Sequence, residues 1–224
     1  MDKRTVLEAK KLRKEVGSPE GTLTILDDVS LAVNAGESVA VVGASGAGKS
    51  TLLALLAGLD APTSGEVWLE GTELSALDED GRAAMRGRHV GFVFQSFHLV
   101  PSLTAVENVM LPLELAGRSD ARQAAQDVLG QVGLSGRLGH YPRQLSGGEQ
   151  QRVAIARAFV TSPSVLFADE PTGNLDTATG ARVVQLLFDL NQATGATLVL
   201  VTHDRDLAAR CDRMIEIDSG RLVA

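Results

Sequence analysis

Gly43-Ala44-Ser45-Gly46-Ala47-Gly48-Lys49-Ser50 decides how this chain is read. The octet fits G-x-x-x-x-G-K-[ST]; an apolar run, Ser38 to Val42, precedes it and an apolar helical stretch, Ser50 to Leu59, follows. Glycines let the backbone wrap closely, so successive N–H groups turn inward and form an anion nest. The following helix adds the positive end of its dipole. In such a cradle Gly43, Ala44, Ser45, Gly46, Ala47 and Gly48 hold phosphate. Lys49 brings a charge to the β- and γ-phosphates, and the Ser50 hydroxyl can ligate Mg2+. The competing reading is a glycine-rich turn without a ligand; the apolar strand before it and the apolar helix after it argue against that.

Working outward, three further apolar runs read as buried strands: Val90 to Phe94, Val165 to Ala168 and Thr197 to Thr202. Short runs of this kind alternating with helical stretches give an α/β fold with a parallel sheet. The runs are followed by Gln95, by Asp169-Glu170 and by His203-Asp204. Open α/β sheets bind ligands at the carboxyl ends of their strands. If the strands are parallel neighbours, these groups and the glycine-rich loop share one sheet edge. A Mg2+ ion keeps several waters, so one carboxylate, Asp169, suffices to hold it. Glu170 can polarise the attacking water, because phosphoryl transfer depends on positioning and charge stabilisation more than on a strong base. An Asp-Glu pair in isolation reads as a solvated turn; after a buried strand, in a chain with a phosphate loop, it reads as a metal and water site. His203 reads equally as a structural histidine or as a hydrogen-bond donor to a γ-phosphate.

Thr5 to Leu31 and Gly65 to Gly71 look like antiparallel strands joined by turns, and the pattern from Ser96 to about Val160 is helical. Thr104-Ala105-Val106-Glu107 reads as a capping box, and Gly147 to Phe159 as another helix. Just before that helix stands Leu145-Ser146-Gly147-Gly148-Glu149-Gln150, about a hundred residues after the first loop. A hydroxyl and two glycines at a helix N-terminus make a second anion site. On local physics the simpler reading is a capped helix with Ser146 as the cap.

Composition narrows the classes. The 224 residues are 44% hydrophobic and 22% charged, an ordinary globular balance. Apolar stretches such as Thr51 to Leu59 fall well short of the ~20 residues that span a bilayer. Met1 to Glu15 interleaves charged with apolar residues and so lacks the apolar region of a signal peptide; the expectation is a protein that stays where it is made. The single cysteine, Cys211, excludes an internal disulfide and fits a reducing cytosol. A net charge of −7 argues against a nucleic-acid partner.

Leu145 to Gln150 matches the signature motif of the ABC (ATP-binding cassette) ATPases, and the sequence resembles that family over nearly its whole length. The resemblance implies an α/β P-loop NTPase fold: a RecA-like parallel-sheet core, an antiparallel β-subdomain and a helical signature subdomain at about 96–160. All three would lie in a single domain, 1–224. It implies a cassette that binds and hydrolyses ATP with Mg2+. Gly43 to Ser50 with Thr51 would form Walker A, and Gln95 the Q-loop glutamine near metal and water. Asp169 and Glu170 would be the Walker B ligand and catalytic glutamate, Asn174-Leu175-Asp176 the D-loop, and His203 the switch histidine. Ser146, Gly147, Gly148 and Glu149 would close over the ATP of a second copy in a two-fold, head-to-tail homodimer.

Phe94 to Pro101, Thr104 to Val109 and Asp169 to Asp176 are similar to the branch with the lipoprotein-releasing and macrolide-exporting ATPases, above all its YbbA-like members. That branch implies an integral membrane permease partner with a large extracytoplasmic domain. The ATPase would then sit in the cytoplasm, peripheral on the inner face of the inner membrane, with lipid, lipoprotein, peptide or small-molecule cargo. The alternative keeps the motor but couples it to a non-transport regulator of the cell envelope. One departure stands out. The family places an aromatic residue against adenine, whereas the matching position here is Val16 and no aromatic precedes Trp68. Weaker nucleotide binding and an open choice between ATP and GTP follow. Phe92, Phe94, Phe97, Leu99, Val100 and Leu103 gather around Gln95 as core of the helical subdomain, or, as the family resemblance implies, part of Phe97 to Leu103 forms a groove for a coupling helix of the membrane partner. Trp68 is expected to pack within the β-subdomain.

Overall fold

Unbroken apolar runs form the parallel strand pairs here; Ser38–Val42 and Thr197–Val201 are buried throughout, while Val90–Phe94 alternates half-buried with buried positions. The computed structural model describes residues 4–18 and 21–223; residues 1–3 of the charged amino-terminal stretch, and 19–20 within Thr5 to Leu31, lie outside the described residues. In chain order come β1 (Thr5–Ser18), β2 (Gly21–Asn34), β3 (Ser38–Val42), α1 (Lys49–Leu56), β4 (Ser64–Leu69), β5 (Thr72–Glu73) and α2 (Glu79–His89). Then follow β6 (Val90–Phe94), α3 (Ala105–Leu115), α4 (Ala121–Gln131), α5 (Gly147–Phe159), β7 (Val165–Asp169) and α6 (Thr177–Thr194). The chain closes with β8 (Thr197–Val201), α7 (Arg205–Ala208), β9 (Arg213–Asp218) and β10 (Arg221–Val223). Two units divide these elements, one joining residues up to His89 with those from Thr197 onward, the other spanning Val90–Ala196.

In the first unit every residue of β3 and β8 is buried, which is why neither sequence alternates. The two run parallel with Val41 opposite Val201. On its other side β3 takes β9, again parallel, and β10 folds back antiparallel on β9. Asp212 fixes the entrance: its carboxylate accepts from the Ser38 amide at 2.8 Å and the Ser38 hydroxyl at 2.7 Å. A separate antiparallel sheet has the order β2-β1-β4-β5. Register shifts along β1, with Lys11 at φ 50 and Asp28 on β2 at φ 54, mark bulges that twist the pair. Leu7, Leu12, Leu26 and Leu69 are fully buried in this sheet. Trp68 lies half-buried on β4, its indole donating to Glu66 at 2.9 Å.

In the second unit β6 and β7 run parallel from Val90 opposite Val165 to Phe94 opposite Asp169. Phe167 is fully buried and stacks on Phe92, with ring centroids 5.5 Å apart. Helices α3, α4 and α5 bury Val109, Leu113, Leu129 and Ile155.

The expected strands and the expected helix at Gly147–Phe159 are present. α1 stops at Leu56, before the expected Leu59, because Gly58 takes a left-handed φ of 68. The structure adds α2 and the β9–β10 hairpin to the expected elements. α2 buries none of its residues and so carries no apolar stripe; Arg86 anchors it instead, donating to Gly58 O at 2.5 Å. Among the described residues no helix is long and apolar enough to cross a membrane.

Candidate functional site

The parallel pairing of β3 and β8 brings the glycine-rich loop and His203 out of one strand edge in the first unit. Thr202 N donates to Val41 O at 3.2 Å, so the exits of the two strands are adjacent. The loop is pressed against β9: a Cβ at Gly43 would lie 2.2 Å from Ile217 O, so only glycine fits. Gly220, in the turn after β9, donates its N–H to Ala47 O at 3.1 Å and braces the loop from behind. Ala44, Ser45 and Gly46 are exposed at the tip.

α1 starts from Gly48 with no side-chain cap and no acidic residue in its first turn. α4 likewise starts without a side-chain cap, whereas α3, α5 and α6 are capped by the side chains of Thr104, Ser146 and Asp176. An uncapped helix start beneath a glycine-rich loop is a start that an anion completes. Lys49 is only 8% exposed, and its ammonium donates to Gly43 O and Ala44 O, each at 2.8 Å. A buried cation is thereby held over the loop, with Ser50 and Thr51 in the helical turn below. His203 is exposed two residues beyond β8, where Asp204 fixes the backbone by capping α7. Val16 lies on β1 directly opposite Leu23, and the two aliphatic side chains are 36% and 57% exposed.

In the second unit the register of β6 and β7 places Gln95 and Glu170 at neighbouring strand exits, just past the Phe94–Asp169 pair. Glu170 has φ 46, a left-handed conformation that costs a non-glycine residue about 1 kcal/mol. The chain turns at once, Gly173 N donating to Glu170 O at 3.0 Å. Three polar side chains that sequence reasoning passed over hold this region. Gln151 is fully buried, and its amide nitrogen donates to Pro171 O at 2.5 Å and Phe94 O at 3.4 Å. Arg157 donates to Phe97 O and His98 O, at 3.0 and 2.7 Å, across two consecutive left-handed residues, φ 58 and 49. Burial lowers its pKa. Asn108, fully buried on α3, accepts from Val100 N at 2.7 Å and donates to Leu103 O at 3.0 Å. Polar residues interrupting the apolar faces of α3 and α5 were the available signal.

The Ser146 segment is a complete capping box. The Ser146 amide and hydroxyl donate to the Glu149 carboxylate, each at 2.8 Å, and Glu149 N returns to the hydroxyl at 3.3 Å. Arg137 binds the same carboxylate at 2.8 Å. Hydrogen bonds from Arg137 first, then from Ser146, hold the Glu149 pKa down at about 2. Its carboxylate is therefore engaged in the helix cap. A Cβ on Gly148 would sit 2.4 Å from the Thr179 methyl, so α5 and α6 meet closely. Beside them Ser146, Gly148, Arg152, Thr179 and Arg182 line a cavity of about 150 Å3.

The aromatic cluster near Gln95 is neither core nor open surface. Phe92, Phe94, Phe97, Leu99, Val100 and Leu103 are all half-buried, with Phe92 stacked on Phe94 at 5.1 Å. The Ser50 hydroxyl in the first unit, and the Asp169 carboxylate and Gln95 amide oxygen in the second, are each a hard oxygen ligand of the kind that suits Mg2+. The Gln95 amide nitrogen donates to Asn174 Oδ1, which leaves the oxygen end for a metal or water. Among the described residues no group of three His, Cys, Asp or Glu gathers as a metal cage.

A sequence model of the ABC transporter family matches residues 26–173. The chain is 57% identical over 224 residues to the ABC transporter ATP-binding protein YbbA of Escherichia coli (strain K12), covering 99% of this chain and 98% of that one. It is 51% identical over 219 residues to the lipoprotein-releasing system ATP-binding protein LolD of Xanthomonas campestris pv. campestris (strain 8004), covering 97% and 92%. Among solved structures, the cassette MJ0796, a dimer in a post-hydrolysis state bound to ADP and Pi, superposes with a TM-score of 0.90. It is 41% identical to this chain, with 97% of each covered.

Proposed function

Because the chain belongs to the ABC transporter family, as an ATP-binding and ATP-hydrolysing subunit with the cassette fold, we propose that it works as one half of a head-to-tail homodimer. That homodimer would drive an integral membrane permease with a large extracytoplasmic domain. The observation that carries this reading is the contrast between two helix starts. α1 is uncapped beneath Gly43–Gly48, with the Lys49 cation held over the loop. α5 presents an exposed Ser146 followed by two glycines. Each is half of an anion clamp, and a second copy supplies the missing half. The MJ0796 cassette is dimeric in its state with ADP and Pi, which supports a dimer as the working form.

In this reading the backbone of Gly43 to Gly48 wraps the phosphates, and Lys49 moves its charge from the loop carbonyls onto the β- and γ-oxygens. Ser50, Asp169 and Gln95 would hold Mg2+, which supplies charge neutralisation between phosphate oxygens. Glu170 orients the attacking water, its position set by the left-handed turn, and His203 donates to the γ-phosphate. Ser146, Gly147, Gly148 and Glu149 of the other copy close the site, the first three through the helix N-terminus and Glu149 by fixing that terminus. Val16 and Leu23 offer adenine an aliphatic surface in place of an aromatic ring. The whole chain, 1–224, acts as one cassette, with the segment 96–160 as the helical part that faces the permease. The likeness to LolD supports lipoprotein or lipid as the cargo, drawn from the membrane by a subunit docked on its cytoplasmic face.

The decisive test is Glu170→Gln with saturating Mg-ATP in analytical ultracentrifugation. A stable dimer is expected; a species that stays monomeric overturns the composite site. Ser146→Arg should abolish hydrolysis while the monomer still binds ATP, and normal turnover would count against the signature reading. Purification of the native membrane complex reads the partner and cargo directly: a bound permease carrying lipoprotein supports the assignment, and an ATPase isolated with a non-transport envelope regulator replaces it.

A further inference from the structure

Gln95 is held by Asn174, the first residue of the segment read above as the D-loop, a reading that gave it no part in placing Gln95. Its Nε2 donates to Asn174 Oδ1 at 3.3 Å, and Asn174 Nδ2 donates back to Gln95 O at 3.0 Å. The pair is reciprocal: one bond fixes the side chain, the other the main chain of the same residue. Gly173 completes the clasp. A Cβ there would lie 2.6 Å from Gln95 Nε2 and 2.9 Å from Cδ, so the amide rests on a backbone that has no side chain to displace it. Gln95 follows β6 at Phe94, and Asn174 follows the turn from β7 through Glu170, so the clasp spans the mouth between two adjacent strand exits.

We propose that Asn174 is a positioning residue for ATP hydrolysis, fixing the orientation of the Gln95 amide so that its oxygen, and not its nitrogen, is turned to the attacking water. An amide has two nearly isosteric ends of opposite polarity, and a flip exchanges an acceptor for a donor. Because Asn174 Oδ1 can only accept, it selects the orientation in which Nε2 faces Asn174. The two hydrogen bonds are solvent-accessible, so the clasp adds little to global stability, and its effect falls on geometry. Asn174 begins the Asn174-Leu175-Asp176 turn, and Asp176 caps α6. Movement of that turn is therefore passed to the Gln95 side chain by two hydrogen bonds. The inference rests on the reading of Gln95 as a hydrolytic residue.

The test is a double-mutant cycle on the full chain, with kcat and KM for ATP measured for Asn174→Leu, Gln95→Ala and the pair. Asn174→Leu keeps the side chain's size and removes both hydrogen bonds. It should lower kcat about tenfold with KM changed less than about twofold, the pattern of a contact used in the transition state. In the Gln95→Ala background the same substitution should have almost no further effect, because its target is gone. Losses that simply multiply, or a full kcat in Asn174→Leu, overturn the proposal. Gly173→Ala approaches from the opposite side: its methyl displaces the Gln95 amide, and it should reproduce the kcat loss even if Asn174→Leu folds poorly. In nucleotide-free protein, NMR should show faster solvent exchange of the Gln95 side-chain amide protons in both variants; unchanged exchange counts against the clasp. If Gln95→Ala alone retains full kcat, the reading of Gln95 fails first, and the positioning role falls with it.

Discussion

Val16 shows how much one residue can withhold. Its side chain and that of Leu23 form an exposed aliphatic pair on β1 and β2, and a surface of that kind packs an adenine face without the stacking of an aromatic ring. Stacking on an aromatic contributes about 1–3 kcal/mol per base in other nucleotide sites. Val16→Tyr should therefore tighten ATP binding about tenfold, read by isothermal titration. An unchanged dissociation constant would remove position 16 from the nucleotide site. Glu170 and Cys211 make the complementary point about local environment. Glu170 accepts a left-handed φ of 46 that few residues tolerate, and the cost persists because the turn to Gly173 holds it. Cys211, by contrast, has its thiol pushed up to about 11 by burial first and Asp212 second, so it remains an unreactive thiol.

Among the elements, α5 joins two tasks. Its first turn is the capping box at Ser146, and its buried face carries Gln151 and Arg157 to the carbonyls of Phe94, Phe97, His98 and Pro171. One rigid helix thus ties the segment on either side of Gln95 to the turn after Glu170. Replacing Gln151 by Leu takes the buried side-chain donor from Pro171 O and leaves Phe94 O with the Phe97 amide alone. It should cost about 1–3 kcal/mol in urea unfolding. A change under about 0.5 kcal/mol would show that water replaces the amide. The cap is also titratable. Glu149 has a folded pKa of about 2, below its ordinary 4.5. Its stabilisation is complete above the ordinary value and is lost as pH falls from there toward about 2. Glu149→Gln should flatten the part of the melting-temperature slope that this group contributes between those limits; an identical acid slope in both proteins would remove it from the cap. The capping box at Thr104 and the cap at Ser146 were legible because the residues involved lie within four positions of one another; that Glu149 closes the second box, with Arg137 on its carboxylate, came from the structure. Gln151 and Arg157 were not legible, since their partners lie in segments remote along the chain.

For the whole molecule, nucleotide binding and stability are linked. If two chains share two ATP molecules, ligand binds the folded pair and not the unfolded chain. Free ATP at a hundred times its dissociation constant then adds about 2.7 kcal/mol per site. In Glu170→Gln with Mg-ATP, the melting temperature should therefore rise with protein concentration as well as with ATP. A melting temperature independent of protein concentration would point to sites completed within one chain. The sequence by itself determined the α/β class, the glycine-rich loop between strand and helix, the acidic exit after Val165–Ala168 and the helix at Gly147. Each of these is written in residues within a few positions of one another, where backbone hydrogen bonds and apolar burial act locally. Only the tertiary structure decided that Gly43 must lack a side chain because Ile217 O lies against it, and that Gly220 braces Ala47. It alone decided that Asn174 clasps Gln95. Those contacts join residues that become neighbours only when strands pair across long stretches of chain, and no local pattern records which side chains will then meet.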